Sequence, residues 1–200
     1  MTRHLLLFEH ERDRMSNVKP ICGVNKKMVA SFTVLEWIYW GIMGSFGSYF
    51  VTWLLHIGYA QSFVSMLLIV YLVSGMLGQF VLSSLCDQWR TNKKIFLCGI
   101  AVAAVAQLGM YFSKSKWILT ACYACYGFFL GPMGSILDAW ILRSFHGNMK
   151  VYSPVRGAGS IGYAVVILAV GYLIGGFGYH VMPICSTAIA IATFLLACGW

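Results

Sequence analysis

The sequence predicts an all-α membrane protein, a bundle of six transmembrane helices, on three observations. Of its 200 residues, 60% are hydrophobic and 10% charged, whereas an ordinary soluble domain carries ~25% charged residues. Six apolar segments, near 29–55, 60–85, 94–112, 117–143, 151–175 and 179–200, are each long enough to cross a hydrocarbon layer ~30 Å thick as a helix. The cations fall in the gaps between these segments and form no stripe along a face. The first observation excludes a soluble enzyme core and a disordered chain. The third reads the net charge of +8 as contact with a lipid bilayer and not with nucleic acid.

Residues 1–28 make a basic tail, with Arg3, Arg12, Arg14, Lys19, Lys26 and Lys27 offset by Glu9, Glu11 and Asp13. Its apolar run at 5–8 is too short for a signal-peptide core, and Met15 is a second candidate start. The bundle occupies 29–200. Its segments must be helical, because backbone in lipid has to satisfy its own hydrogen bonds. Short connections make consecutive helices antiparallel neighbours. Gly41, Gly44, Gly47, Gly157, Gly159, Gly162, Gly171 and Gly175 are read as close helix contacts.

The tail, the second loop (Arg90, Lys93, Lys94) and the fourth loop (Arg143, Lys150) hold eleven cations, against Lys114 and Lys116 on the other side. That asymmetry places the N-terminus in the cytoplasm of a multi-pass protein of the plasma (inner) membrane. Trp53, Tyr111, Trp117 and Tyr179 fall near the outer ends, where amphipathic rings favour the interface. Seven cysteines, mostly inside helices, behave as small hydrophobes; Cys122 and Cys125 lack metal-ligand neighbours. The histidines are in the tail or loops. With no nucleophile–base set and no ligand cluster, neither an enzyme, a metal site nor a cofactor is expected.

Glu36, Asp138 and Arg156 are ionisable residues inside the spans, which marks each as a functional candidate. Asp138 and Arg156 lie nine residues either side of Gly147, the apex of a hairpin. Equal distances give equal depth, roughly 14 Å from the apex and near the midplane. Ser160 and Tyr163 follow Arg156 on its face, and Gly134 opens space one turn before Asp138. A carboxylate, a guanidinium, a hydroxyl and a ring around one cavity suit a polyhydroxylated solute. The same pair also reads as a salt bridge holding two helices in register. Glu36 reads either as a proton carrier or as a group that snorkels or pairs with a basic neighbour.

Three stretches carry a family resemblance: IMGSFGSYFVTWL at 42–54, SSLCDQWRTNKK at 83–94, and Asp138 followed eighteen residues later by Arg156 within YSPVRGAGSIGY at 152–163. The chain resembles the N-terminal six-helix half of the major facilitator superfamily fold, within it the lactose permease or oligosaccharide:proton symporter group. The second stretch is a degenerate form of that superfamily's G-x-L-x-D-x-x-G-R-K/R loop, with Ser83 and Arg90 where glycines are usual. The resemblance implies that Asp138 and Arg156 bind sugar hydroxyls while Tyr163 packs on the ring, and it adds Met43 to the substrate group. Tyrosine for tryptophan and Asp for Glu move the expectation away from galactosides, toward another sugar, a nucleoside or an aromatic acid. Asp87, with Lys93 and Lys94, is implied as a gating loop. A proton is the implied coupling ion. Alternating access needs two bundles, so the expected partners are a sugar-like solute and a missing C-terminal half, or a second copy. The ending at Trp200 reads as truncation before that half. A six-helix sensor or assembly protein without transport is the alternative class.

Overall fold

The computed structural model of the protein describes residues 26–113 and 115–199. The expectations for Arg3, Arg12, Arg14, Lys19 and Lys114 lie outside the described residues. Every described element is a helix. The first rod consists of α1 (Lys26–Ile42), a π-helical turn (Met43–Gly47) and α2 (Ser48–His56). Then come α3 (Gln61–Trp89), α4 (Asn92–Phe112), α5 (Lys116–Leu130), α6 (Met133–Ser144), α7 (Met149–Phe177) and α8 (Val181–Cys198). By length and composition α3, α4, the α5–α6 rod, α7 and α8 are able to cross a membrane. The first rod covers an apolar segment too, but the π turn divides it into pieces of 17 and 9 residues.

Local chemistry explains the ends. Gly131-Pro132 separates α5 from α6, because proline cannot donate to the previous turn. His146 and Gly147 make the α6–α7 turn at φ 52° and 75°, and Asn148 caps α7 by accepting the Lys150 N–H at 3.1 Å.

Consecutive helices are not, for the most part, the closest partners, which corrects the hairpin expectation. The extensive contacts pair α1 with α7, α3 with α5, and α4 with α5, while α6 and α7 splay apart. Glycine notches decide this. A Cβ on Gly78 would lie 2.0 Å from the Phe128 carbonyl oxygen, and one on Gly162 would lie 2.3 Å from that of Trp37. Any side chain there would push the rods apart.

An aromatic core fills the centre: buried Phe46 packs on Tyr126 and buried Phe50 on Tyr123, while buried Phe32 and Phe96 both pack on Trp140. Gln107 of α4 bonds α8 inside it: Ser186 Oγ donates to Gln107 Oε1 at 2.7 Å. Outward faces of α3 and α7 present Ile69, Met76, Phe80, Leu168 and Tyr172, as hydrocarbon contact requires. Trp117 is exposed, whereas Trp53 is buried and stacks on Tyr111 with ring centroids 5.7 Å apart.

Candidate functional site

Asp138 of α6 and Arg156 of α7 join two helices that otherwise pack little on one another. Arg156 Nε donates to Asp138 Oδ2 at 3.3 Å and lies 3.2 Å from Oδ1. The side chains remain 25% (Asp138) and 31% (Arg156) exposed, so the pair is only partly closed in by its neighbours. From α1, Trp40 lies beneath the guanidinium, with the ring centroid 4.6 Å from Cζ. This cation–π contact holds the guanidinium flat and leaves its outer edge free. Gly134 lies beside that indole, where an added Cβ would stand 3.5 Å away, at ordinary contact, so the ring's place does not depend on a glycine there.

Depth differs from the expectation. Asp138 and Arg156 lie roughly 10 Å inside their helix ends, on rods roughly 43 Å long. The turn between them takes up residues 145–148, and the rods exceed the hydrocarbon thickness. The pair therefore sits in the quarter of the bundle nearest Lys26 and Lys150, not at the centre.

Glu36 joins this cluster from α1. It is 0% exposed, and its charged neighbours are Asp138 and Arg156. Both its carboxylate oxygens are without a hydrogen-bond partner, as are the Trp40 indole N–H and Asp138 Oδ1. Glu36 Oε2 and Trp40 Nε1 crowd the same spot, 2.8 Å and 3.0 Å from where a Cβ on Gly159 would be. Glu36 therefore does not snorkel. An uncompensated buried charge costs about 3–5 kcal/mol, so this carboxyl is not there for stability.

Tyr163 and Met43 lie elsewhere. Tyr163 stands at the middle of α7, about 10 Å along the axis from Arg156, and its hydroxyl shares a 2.9 Å hydrogen bond with Ser48. Both line a chamber of about 360 Å³ with Gly47, Ser48, Tyr71, Tyr123 and Tyr126. Tyr71 stacks on Tyr123 at 5.2 Å, and the buried Tyr126 hydroxyl is without a partner. Ser160, between the two sites on α7, is exposed. Sequence reasoning missed Tyr71, Tyr123, Tyr126 and the role of Trp40. The available signals were the i, i+4 spacing of Glu36 and Trp40 and the i, i+3 spacing of Tyr123 and Tyr126.

At the end of the bundle near Lys93, Asp87 pairs with Arg143 of α6 at 3.2 Å, and Arg143 also donates to Asn92 Oδ1 at 3.2 Å. Lys93 instead donates to the Cys198 carbonyl at 3.3 Å, closing the C-terminus of α8. Lys94 is exposed. The ion pair thus ties α3 to α6, using a cation from the fourth loop and not those beside Asp87 in sequence.

Apolar rods closed around an aromatic core, with an acid–arginine–tryptophan cluster facing inward, define a multi-pass helical membrane protein. The chain belongs to the MFS_1 like family, whose model matches residues 30–200, and so to the major facilitator superfamily. It is similar to the Phosphoglycerate transporter protein of Salmonella typhimurium (strain LT2), at 26% identity over 145 residues. That match covers 68% of the chain and 30% of the relative's length.

Proposed function

We propose that the chain forms one wall of a secondary transporter that moves a polar solute by alternating access, without enzymatic chemistry, with a proton as coupling ion. The Asp138–Arg156 pair carries this reading: a carboxylate and a guanidinium offer acceptors and donors to one ligand, and both side chains keep part of their surface exposed. A second six-helix half, or a second copy, supplies the opposite wall. The N-terminus faces the cytoplasm of the plasma membrane, in line with the cation asymmetry.

A sugar or oligosaccharide fits best. Hydroxyls match the paired charges, the tyrosine chamber offers ring faces, and the stretches around Met43 and Arg156 resemble the lactose permease group. Nucleosides and aromatic acids suit the same chamber. A phosphorylated acid is the second reading, favoured by the Salmonella relative. It fits less well, because Arg156 is the cation of this cluster and faces two carboxylates.

The test is uptake into vesicles carrying the full-length protein under an inward proton gradient, with a panel of hexoses, disaccharides, nucleosides, aromatic acids and 3-phosphoglycerate. Gradient-dependent accumulation of a neutral hydroxylated compound supports the reading. Accumulation of the phosphorylated acid alone overturns the sugar assignment, and no accumulation of any compound overturns transport of this class.

A further inference from the structure

Resting on the solute site above, we infer that Glu36 is the proton-binding group of this bundle, and that Glu36 and Asp138 alternate on the single Arg156 guanidinium. With all three groups ionised, the cluster holds two negative charges and one positive. The excess lies on a side chain that is 0% exposed and whose oxygens are without hydrogen-bond partners. Asp138 already has the guanidinium at 3.2 Å, so the group in need of neutralising is Glu36.

The surroundings select a proton over a metal cation. The acids and bases facing Glu36 are Asp138 on α6, Arg156 and Tyr152 on α7, and Tyr39 on its own helix. From α8, which also packs on α1, the titratable groups are Cys185 and Cys198. Around its oxygens stand the Trp40 indole N–H and the Arg156 fork, both hydrogen-bond donors that leave little room for the several oxygen ligands a metal cation requires. A proton on one Glu36 oxygen makes the cluster neutral and leaves the other oxygen to accept from Trp40.

Loss of that proton to water, along the partly exposed Asp138 and Arg156 side chains, leaves Glu36 anionic beside the guanidinium. Arg156 then turns toward Glu36, and the Asp138–Arg156 pair that holds the solute comes apart. Return of the proton restores the pair, so solute is held only while Glu36 is protonated. Proton and solute are thereby coupled within this bundle, through one arginine serving two acids.

Infrared difference spectra of the full-length protein in lipid, recorded between acidic and alkaline pH without solute, test this directly. The expected result is a buried carboxylic acid C=O band that disappears at alkaline pH, is lost in Glu36→Gln, is shifted in Glu36→Asp, and is weakened or lost in Asp138→Asn, where Glu36 has the guanidinium to itself. A band kept in Glu36→Gln or unchanged in Asp138→Asn overturns the assignment, as does a wild-type spectrum without such a band. Displacement of the band by sodium at constant pH also overturns it, in favour of a cation site. The Glu36→Asp variant guards against misfolding of Glu36→Gln. Because no solute is present, failure here is distinguishable from failure of the transport reading, which rests on uptake alone.

Discussion

Gly159 of α7 faces Trp40 of α1 so closely that a Cβ there would stand 2.5 Å from the indole Cδ1. Trp40 in turn supports the Arg156 guanidinium. A glycine one turn from the arginine thus sets the ring against which the arginine is held. Gly159→Ala is expected to destabilise the protein by about 1–3 kcal/mol through overpacking and to weaken solute binding. Gly157, where an added Cβ meets nothing within 4 Å, is the control, and Gly157→Ala should leave the melting temperature within error or raise it. Thermal unfolding of both variants in the same detergent checks this.

Arg156→Lys keeps the charge but removes the planar fork that lies on Trp40 and reaches Asp138. Solute affinity should fall at least tenfold with membrane insertion unchanged. Arg156→Ala, which leaves Glu36 and Asp138 without a cation, should lose about 3–5 kcal/mol, part of it recovered in Arg156→Ala/Asp138→Asn. A double-mutant cycle on unfolding midpoints measures the coupling.

Gln107 tests a structural role by the same methods. It accepts from Ser186 and reaches the Pro183 carbonyl at 3.4 Å, so Gln107→Ala leaves buried groups on α8 unsatisfied. The expected loss is about 1 kcal/mol, seen as a lower unfolding midpoint with solute affinity unchanged.

Asp87→Asn and Arg143→Gln each break a pair whose side chains are 56% (Arg143) and 74% (Asp87) exposed. Such a pair contributes less than about 1 kcal/mol, so the melting temperature should barely move. A gating role predicts instead a slower solute exchange rate at unchanged affinity in both variants. Equal rates in wild type and both variants would leave the pair no role in gating.

Fold class was legible in the sequence because the bilayer imposes helices on any apolar segment of this length. The Asp138–Arg156 contact was legible too, since two opposite charges equidistant from a glycine turn have few other ways to be compensated. Helix pairing was not. It depends on which glycines fall opposite a carbonyl, as Gly78 does opposite Phe128 and Gly162 opposite Trp37, and spacing along one segment says nothing of the facing one. Tyr163 and Arg156 share a face of α7 but stand about 10 Å apart along its axis, so Tyr163 lines the tyrosine chamber and Arg156 does not. Tyr71 and Tyr123, on helices paired by such glycines, meet in a stack.

The central claim is that Asp138 and Arg156 hold the transported solute. Solute counterflow in proteoliposomes carrying the full-length protein tests it most directly, because exchange requires binding and reorientation but no proton gradient. Asp138→Asn and Arg156→Ala, inserted at wild-type levels, should each reduce counterflow to that of empty liposomes. Wild-type counterflow in both variants would contradict the account and leave the pair as a salt bridge between α6 and α7.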